Sequence, residues 1–141
     1  MSTGLLGLLI NAQYTPQQHF WWHGLSGRSI ITTIYPLSLT EQVSPSVYIM
    51  VRRNADGSRD PLYIGQTKET SRRMSEHAGD KLMSAMMIGG NELHLHYLAR
   101  TESDRFAVET DLRRRYSTPL NQQTGGLFGL ASLYGYQPSS R

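Results

Sequence analysis

The sequence predicts an α/β domain in which a small mixed, largely antiparallel β-sheet is flanked by helices and extended by an extra N-terminal strand. Three observations carry that expectation. SVYIMV (46–51) and PLYIG (61–65) are rich in β-branched and aromatic residues and bracket the turn pair Asp56-Gly57. ELHLHYLA (92–99) alternates with the period of a half-buried strand. Val108, Leu112 and Tyr116 recur at i, i+4 and i+8, which gives a helix one apolar stripe.

Taken in order, SIITTIYPL (29–37) reads as a strand able to join the sheet edge. HFWWH (19–23) reads as its apolar cover rather than as a base-stacking platform, because tryptophans beside a strand usually pack. Residues 46–65 form a β-hairpin whose long loop is RRNADGSRD. Thr67 to Thr70 offer N-cap chemistry for a short helix running to about His77, and DKLMSAMMIGG (80–90) follows as a second helical piece closed by Gly89-Gly90. After the strand at 92–99, Ser103 or Asp104 caps a helix to about Tyr116, and Pro119 ends it. The tail from Thr124, rich in Gly, Ser and Tyr, is expected to pack loosely. The organisation is thus an N-terminal extension (1–45), a catalytic-type domain (46–123) and a tail (124–141).

Composition bounds the function. A chain of 141 residues suits one hydrophobic core, and the lack of cysteine excludes disulfides and cysteine-based zinc sites. Fourteen Lys plus Arg against eleven Asp plus Glu give a net charge of +3, which permits an anionic partner without requiring one. GLLGLLI (4–10) has no basic flank and is too short to span a bilayer, so the expected location is the cytoplasm, with no membrane partner.

Polar groups then gather toward one end of the sheet. Hairpin pairing can bring the phenols of Tyr48 and Tyr63 to one edge, and Arg73 and His77 stand four residues apart, the spacing of one helix face. Glu109 borders the apolar stripe of the last helix, and Asn121 follows that helix. Two tyrosines, an arginine, a histidine, a carboxylate and an amide suit phosphodiester hydrolysis. That reaction needs water activation, a cation on the phosphate and stabilisation of the leaving oxyanion. Each tyrosine alone reads equally well as a strand residue in a core. His94 and His96 share a strand face but lack a third ligand nearby in sequence, and read as core.

The joint spacing resembles the GIY-YIG nucleases. The motif's first half stands as Ser46-Val47-Tyr48 and its second as Tyr63-Ile64-Gly65. The family's arginine, ten residues past the second tyrosine, matches Arg73, and the tyrosine or histidine four further on matches His77. The metal-binding glutamate matches Glu109, and the late asparagine matches Asn121 in PLN, so the resemblance spans residues 46–121. Ser46 replaces a glycine, and Gln66 replaces a lysine common after the second half-motif.

The resemblance implies a metal-dependent DNA endonuclease of low sequence specificity. It would use one divalent ion, Mg²⁺ or Mn²⁺, with no small-molecule cofactor, and leave 3′-hydroxyl and 5′-phosphate ends. In that scheme Tyr48 acts as general base or orients the attacking water, Tyr63 assists, and Arg73 holds the scissile phosphate. His77 offers a proton relay, Glu109 carries the metal and Asn121 positions the helix end against the sheet. Further DNA contacts are expected from Arg52, Arg53, Lys68, Arg72 and Arg113. A catalytically weak nucleic-acid-binding module and a protein-interaction role stand as alternatives, and the oligomeric state, a homodimer included, is left open.

Overall fold

The computed structural model describes residues 18–38, 42–68 and 72–122, with backbone alone at 42, 43 and 72. GLLGLLI, the residues from 123 onward, and Thr70 lie outside the described residues. The elements are β1 (His19–His23), β2 (Ser29–Pro36), β3 (Gln42–Val43), β4 (Ser46–Arg53), β5 (Arg59–Thr67), β6 (Arg72–Arg73), α1 (Met74–Met87), β7 (Glu92–His96), α2 (Glu102–Arg115) and a 3-10 turn at Pro119–Asn121.

Five strands form one sheet in the order β1-β2-β7-β4-β5, and every neighbouring pair is antiparallel. The α/β class and the largely antiparallel sheet are as the sequence predicts. A two-residue ladder, β3 with β6, lies apart from it. The sheet runs without interruption across residue 45: β1 and β2 extend it through β2 and β7.

Alternation along β4 divides the core in two. Tyr48 and Met50 pack with Leu93, Leu95 and the α1 residues Met74, Leu82 and Ala85. Val47, Ile49 and Val51 pack on the other face with Ile64, Trp22, Ile30 and the α2 residues Val108 and Leu112. The two helices therefore cover opposite faces. A register shift between Met50 and Val51 lets β5 insert Leu62 as an extra residue, a β-bulge that bends the hairpin.

Several boundaries differ from expectation, each for a physical reason. HFWWH is itself a strand, with Trp22 buried in the α2 core and Trp21 exposed. The hairpin loop is short, because Arg52, Arg53, Arg59 and Asp60 continue the ladder and only residues 54–58 turn the chain. The expected helix near Thr67 starts instead at Met74, since Thr67 still belongs to β5 and Arg73 is an extended N-cap. From Met74 to Met87 the chain is one helix kinked at Ala78, beside Gly79, so the two expected pieces are joined there. Gly89, at φ 95, closes it in the left-handed conformation that residues with a Cβ avoid. Strand β7 stops at His96, and α2 is capped by Thr101, which accepts from the Asp104 N–H, rather than by Ser103 or Asp104.

The α2 side of the sheet buries a polar network. Trp22 Nε1 donates to His94 Nδ1 at 3.0 Å, so His94 carries its hydrogen on Nε2 and donates it to Glu92 Oε1 at 2.9 Å. Thr32 also adjoins His94, with its own proton given to the Phe20 carbonyl. Arg59 closes the network on Glu92 at 2.7 Å. Burial pushes His94 down to about 4, against the opposing pull of Glu92. Burial alone would raise the Glu92 carboxyl, but hydrogen bonds from Arg59 and His94 hold it below its usual range.

This network makes stability pH-dependent. The unfolded chain protonates His94 near its ordinary value of about 6.5, whereas the folded chain resists until about 4. Stability is therefore full above that ordinary value and falls as the pH drops between the two. The loss is at most about 3 kcal/mol, and His96, also lowered by burial, adds to it in the same direction. Urea unfolding at pH 7.5 and 4.5 measures this. A midpoint unchanged between the two would contradict the neutral, buried His94.

Candidate functional site

One open cleft gathers groups from β4, β5, α1 and α2. It holds about 530 Å³ and is lined by Tyr48, Tyr63, Gln66, His77, Lys81 and Glu109, with Gly65 in its floor. Tyr48 and Tyr63 reach it because Tyr48 pairs with Gly65 and Met50 with Tyr63, so all four point to the same face of the hairpin. Their rings lie 6.1 Å apart and their phenols share a hydrogen bond. The Tyr48 ring lies over Gly65: a Cβ there would meet its Cζ and hydroxyl at 2.8 Å. Glycine is what lets the phenol lie across the strand.

Gln66 joins the two helices to the cleft. Its side-chain amide donates to Glu109 Oε1 at 3.0 Å, and its backbone carbonyl accepts from His77 Nε2 at 3.0 Å. A carbonyl can only accept, so Nε2 carries the hydrogen and Nδ1 of a neutral His77 is left to accept a proton. The His77 ring meets Tyr48 edge-on at 5.6 Å. Glu109 also lies 3.6 Å from Arg113, one helical turn on.

Electrostatics keep both phenols protonated. Burial raises Tyr48 far above the ordinary phenol range, with Tyr63 and Glu109 adding to the effect. Burial also raises Tyr63, as does Glu109, with Arg113 opposing. A phenolate is thus disfavoured in the protein alone.

The remaining expected residues divide. Arg73 is exposed and precedes the helix, so it does not share a helical face with His77, and it does not line the cleft. Arg72 pairs with Val43 through its backbone. Lys68 is exposed and bridges to Glu102 at 2.6 Å. Arg52 and Arg53 stand at the far end of β4 from Tyr48; Arg52 holds Asp60 and the Ile88 carbonyl, and the Arg53 N–H donates to Asn91. Arg113 adjoins the cleft through Glu109. Asn121 lies outside the cleft and ties the 3-10 turn to β5: its Oδ1 accepts from Ile64 N at 2.8 Å, and its Nδ2 donates to Ile64 O at 2.9 Å.

Two lining residues were not assigned a role in the sequence. Lys81 stands four residues after His77 on the same helix, places Nζ 5.6 Å from the Tyr63 ring centre and donates to the Leu120 carbonyl at 2.9 Å. That spacing was the signal available for it. Gln66 was noted only as a missing lysine.

The donor set bears on metal binding. Among the described residues no three His, Cys, Asp or Glu side chains converge as a self-sufficient metal site. Glu109 stands beside the Gln66 amide, whose own oxygen is buried with no hydrogen-bond partner in the structure. Carboxylate, amide and phenol oxygens are hard donors that fit Mg²⁺ or Mn²⁺, ions that commonly take one or two protein carboxylates and complete their shell with water and phosphate oxygens.

Asn121 separates a structural from a catalytic role. Asn121→Ala strands the buried N–H and C=O of Ile64, and each unsatisfied group costs about 1–3 kcal/mol. The urea midpoint should fall accordingly, and an unchanged midpoint would return Asn121 to the chemistry.

Comparison of the chain with protein-family models, curated proteins and solved structures gives no match, so the geometry above stands without a relative to interpret it.

Proposed function

We propose that this protein is a GIY-YIG-type, metal-dependent endonuclease that hydrolyses DNA phosphodiester bonds with low sequence specificity. The observation that carries the reading is the convergence of Tyr48, Tyr63, His77 and Glu109, distant in sequence and on four elements, in one open polar cleft. The spacing that suggested the resemblance concerns sequence alone; their meeting in space is independent support.

Each residue has a chemical task in this reading. His77, with Nε2–H engaged by the Gln66 carbonyl, presents Nδ1 to take the proton of an attacking water. Tyr48 and Tyr63, held protonated, orient that water by hydrogen bonds rather than as phenolates. Lys81, inside the cleft, supplies positive charge to the scissile phosphate, and Arg73 reaches it from outside. Glu109, steadied by Gln66, would hold the divalent ion, with substrate oxygens completing its shell. When bound, that ion would stabilise negative charge developing on the phosphate and the leaving oxygen.

Incubation with supercoiled plasmid and Mg²⁺ or Mn²⁺, with a chelator control, tests the reading. Glu109→Ala should abolish cutting and His77→Ala should lower it about 10²-fold or more. Wild-type cutting by Glu109→Ala would remove this cleft from the mechanism.

Lys81 and Arg73 compete for the phosphate. Lys81→Ala should cost about 10²-fold in rate, as loss of a preorganised charge does, and Arg73→Ala less. The reverse order would make Arg73 the phosphate ligand and require the start of α1 to move on substrate binding.

A further inference from the structure

A second cavity lies at the C-terminal end of α2. It holds about 220 Å³ and is lined by Arg113, Arg114, Arg115, Ser117, Asn121 and Gln122, among others, with no carboxylate in its lining. A helix C-terminus favours basic residues through its dipole, so the arginine run alone identifies nothing. The cavity does more. The Ser117 hydroxyl accepts from Gln122 Nε2 at 2.6 Å, which leaves its own proton to donate. The Arg115 guanidinium stacks 5.1 Å from the Tyr116 ring centre, an arrangement that fixes its plane while leaving its N–H edge available. The end carbonyls of α2 would repel an anion, so any anion here depends on these side chains.

We infer that this cavity binds a non-scissile phosphate of the nucleic-acid backbone, a second anion site beside the cleft. The inference rests on the proposed nuclease reading for its choice of partner. Arg114 and Arg115 follow Glu109 by five and six residues, or about 8–9 Å along the helix axis. One DNA strand carries a phosphate about every 3.4 Å of duplex axis, so the cavity meets the strand some two to three phosphates from the bond at Glu109. Arg113 stands between the two sites, near Glu109 and in the cavity wall.

Fluorescence anisotropy with a labelled DNA duplex in chelator, over a series of salt concentrations, tests it without cleavage. Arg114→Ala/Arg115→Ala should weaken binding roughly tenfold at low salt and flatten the slope of log affinity against log salt by about 2, since each phosphate contact contributes about 0.9. Arg114→Lys/Arg115→Lys keeps the charge and should restore most of the slope. Equal affinity and slope for all three proteins would overturn the inference. So would unchanged DNA binding by the alanine pair together with arginine-dependent binding to phosphatidylserine vesicles. A protein that cuts plasmid but shows no slope change defeats this inference alone. One that binds through these arginines but never cuts defeats only the nuclease reading.

Discussion

The outer edge of β5 is the constraint on which the rest of the site depends. An edge strand leaves backbone N–H and C=O groups facing away from the sheet, and those that are buried must find partners. Here the partners come from elsewhere in the chain: Asn121 takes both groups of Ile64, and His77 donates to the carbonyl of Gln66. Covering the edge therefore draws α1 and the turn after α2 against the same three residues of strand. The Gln66 side chain, on the α2 face, then reaches Glu109. The polar cleft is a consequence of how the edge is satisfied.

Packing and chemistry are kept apart on this sheet. The Arg59–Glu92–His94–Trp22 network lies on the α2 side, away from the cleft, and binds the N-terminal strand pair to the centre of the sheet. Asp111 on α2 adds to this by accepting from both the backbone N–H and the hydroxyl of Ser26 in the β1–β2 turn. On the α1 side, the small size of Gly65 admits the Tyr48 ring, and burial then keeps its hydroxyl protonated. The same burial that packs the hairpin thus makes the first tyrosine a donor, and shifts proton acceptance toward His77.

The sequence made strands with strong alternation legible: SVYIMV, PLYIG and ELHLHYLA lie in β4, β5 and β7. It was misleading where tertiary pairing overrides local composition. RRNADGSRD has turn chemistry, but the ladder continues through its arginines until only five residues remain to turn. HFWWH lacked clean alternation, yet pairing with β2 makes it a strand. Within the site, Tyr48, Tyr63, His77 and Glu109 were found because their spacing is joint, whereas the placement of Arg73 failed with the assumed start of α1. Gln66 escaped notice because its contribution is half backbone, and a carbonyl leaves no mark in a sequence.

The central claim is that two helices, brought together at Gln66, form a hydrolytic cleft for DNA. The most direct measurement is the chemistry of the product ends after a labelled duplex is incubated with the protein and Mg²⁺. Water attack with departure of the 3′ oxygen predicts 5′-phosphate ends that ligase accepts and 3′-hydroxyl ends that a polymerase extends. Duplex left intact at levels matching the chelator control, or products bearing 3′-phosphates, would contradict it.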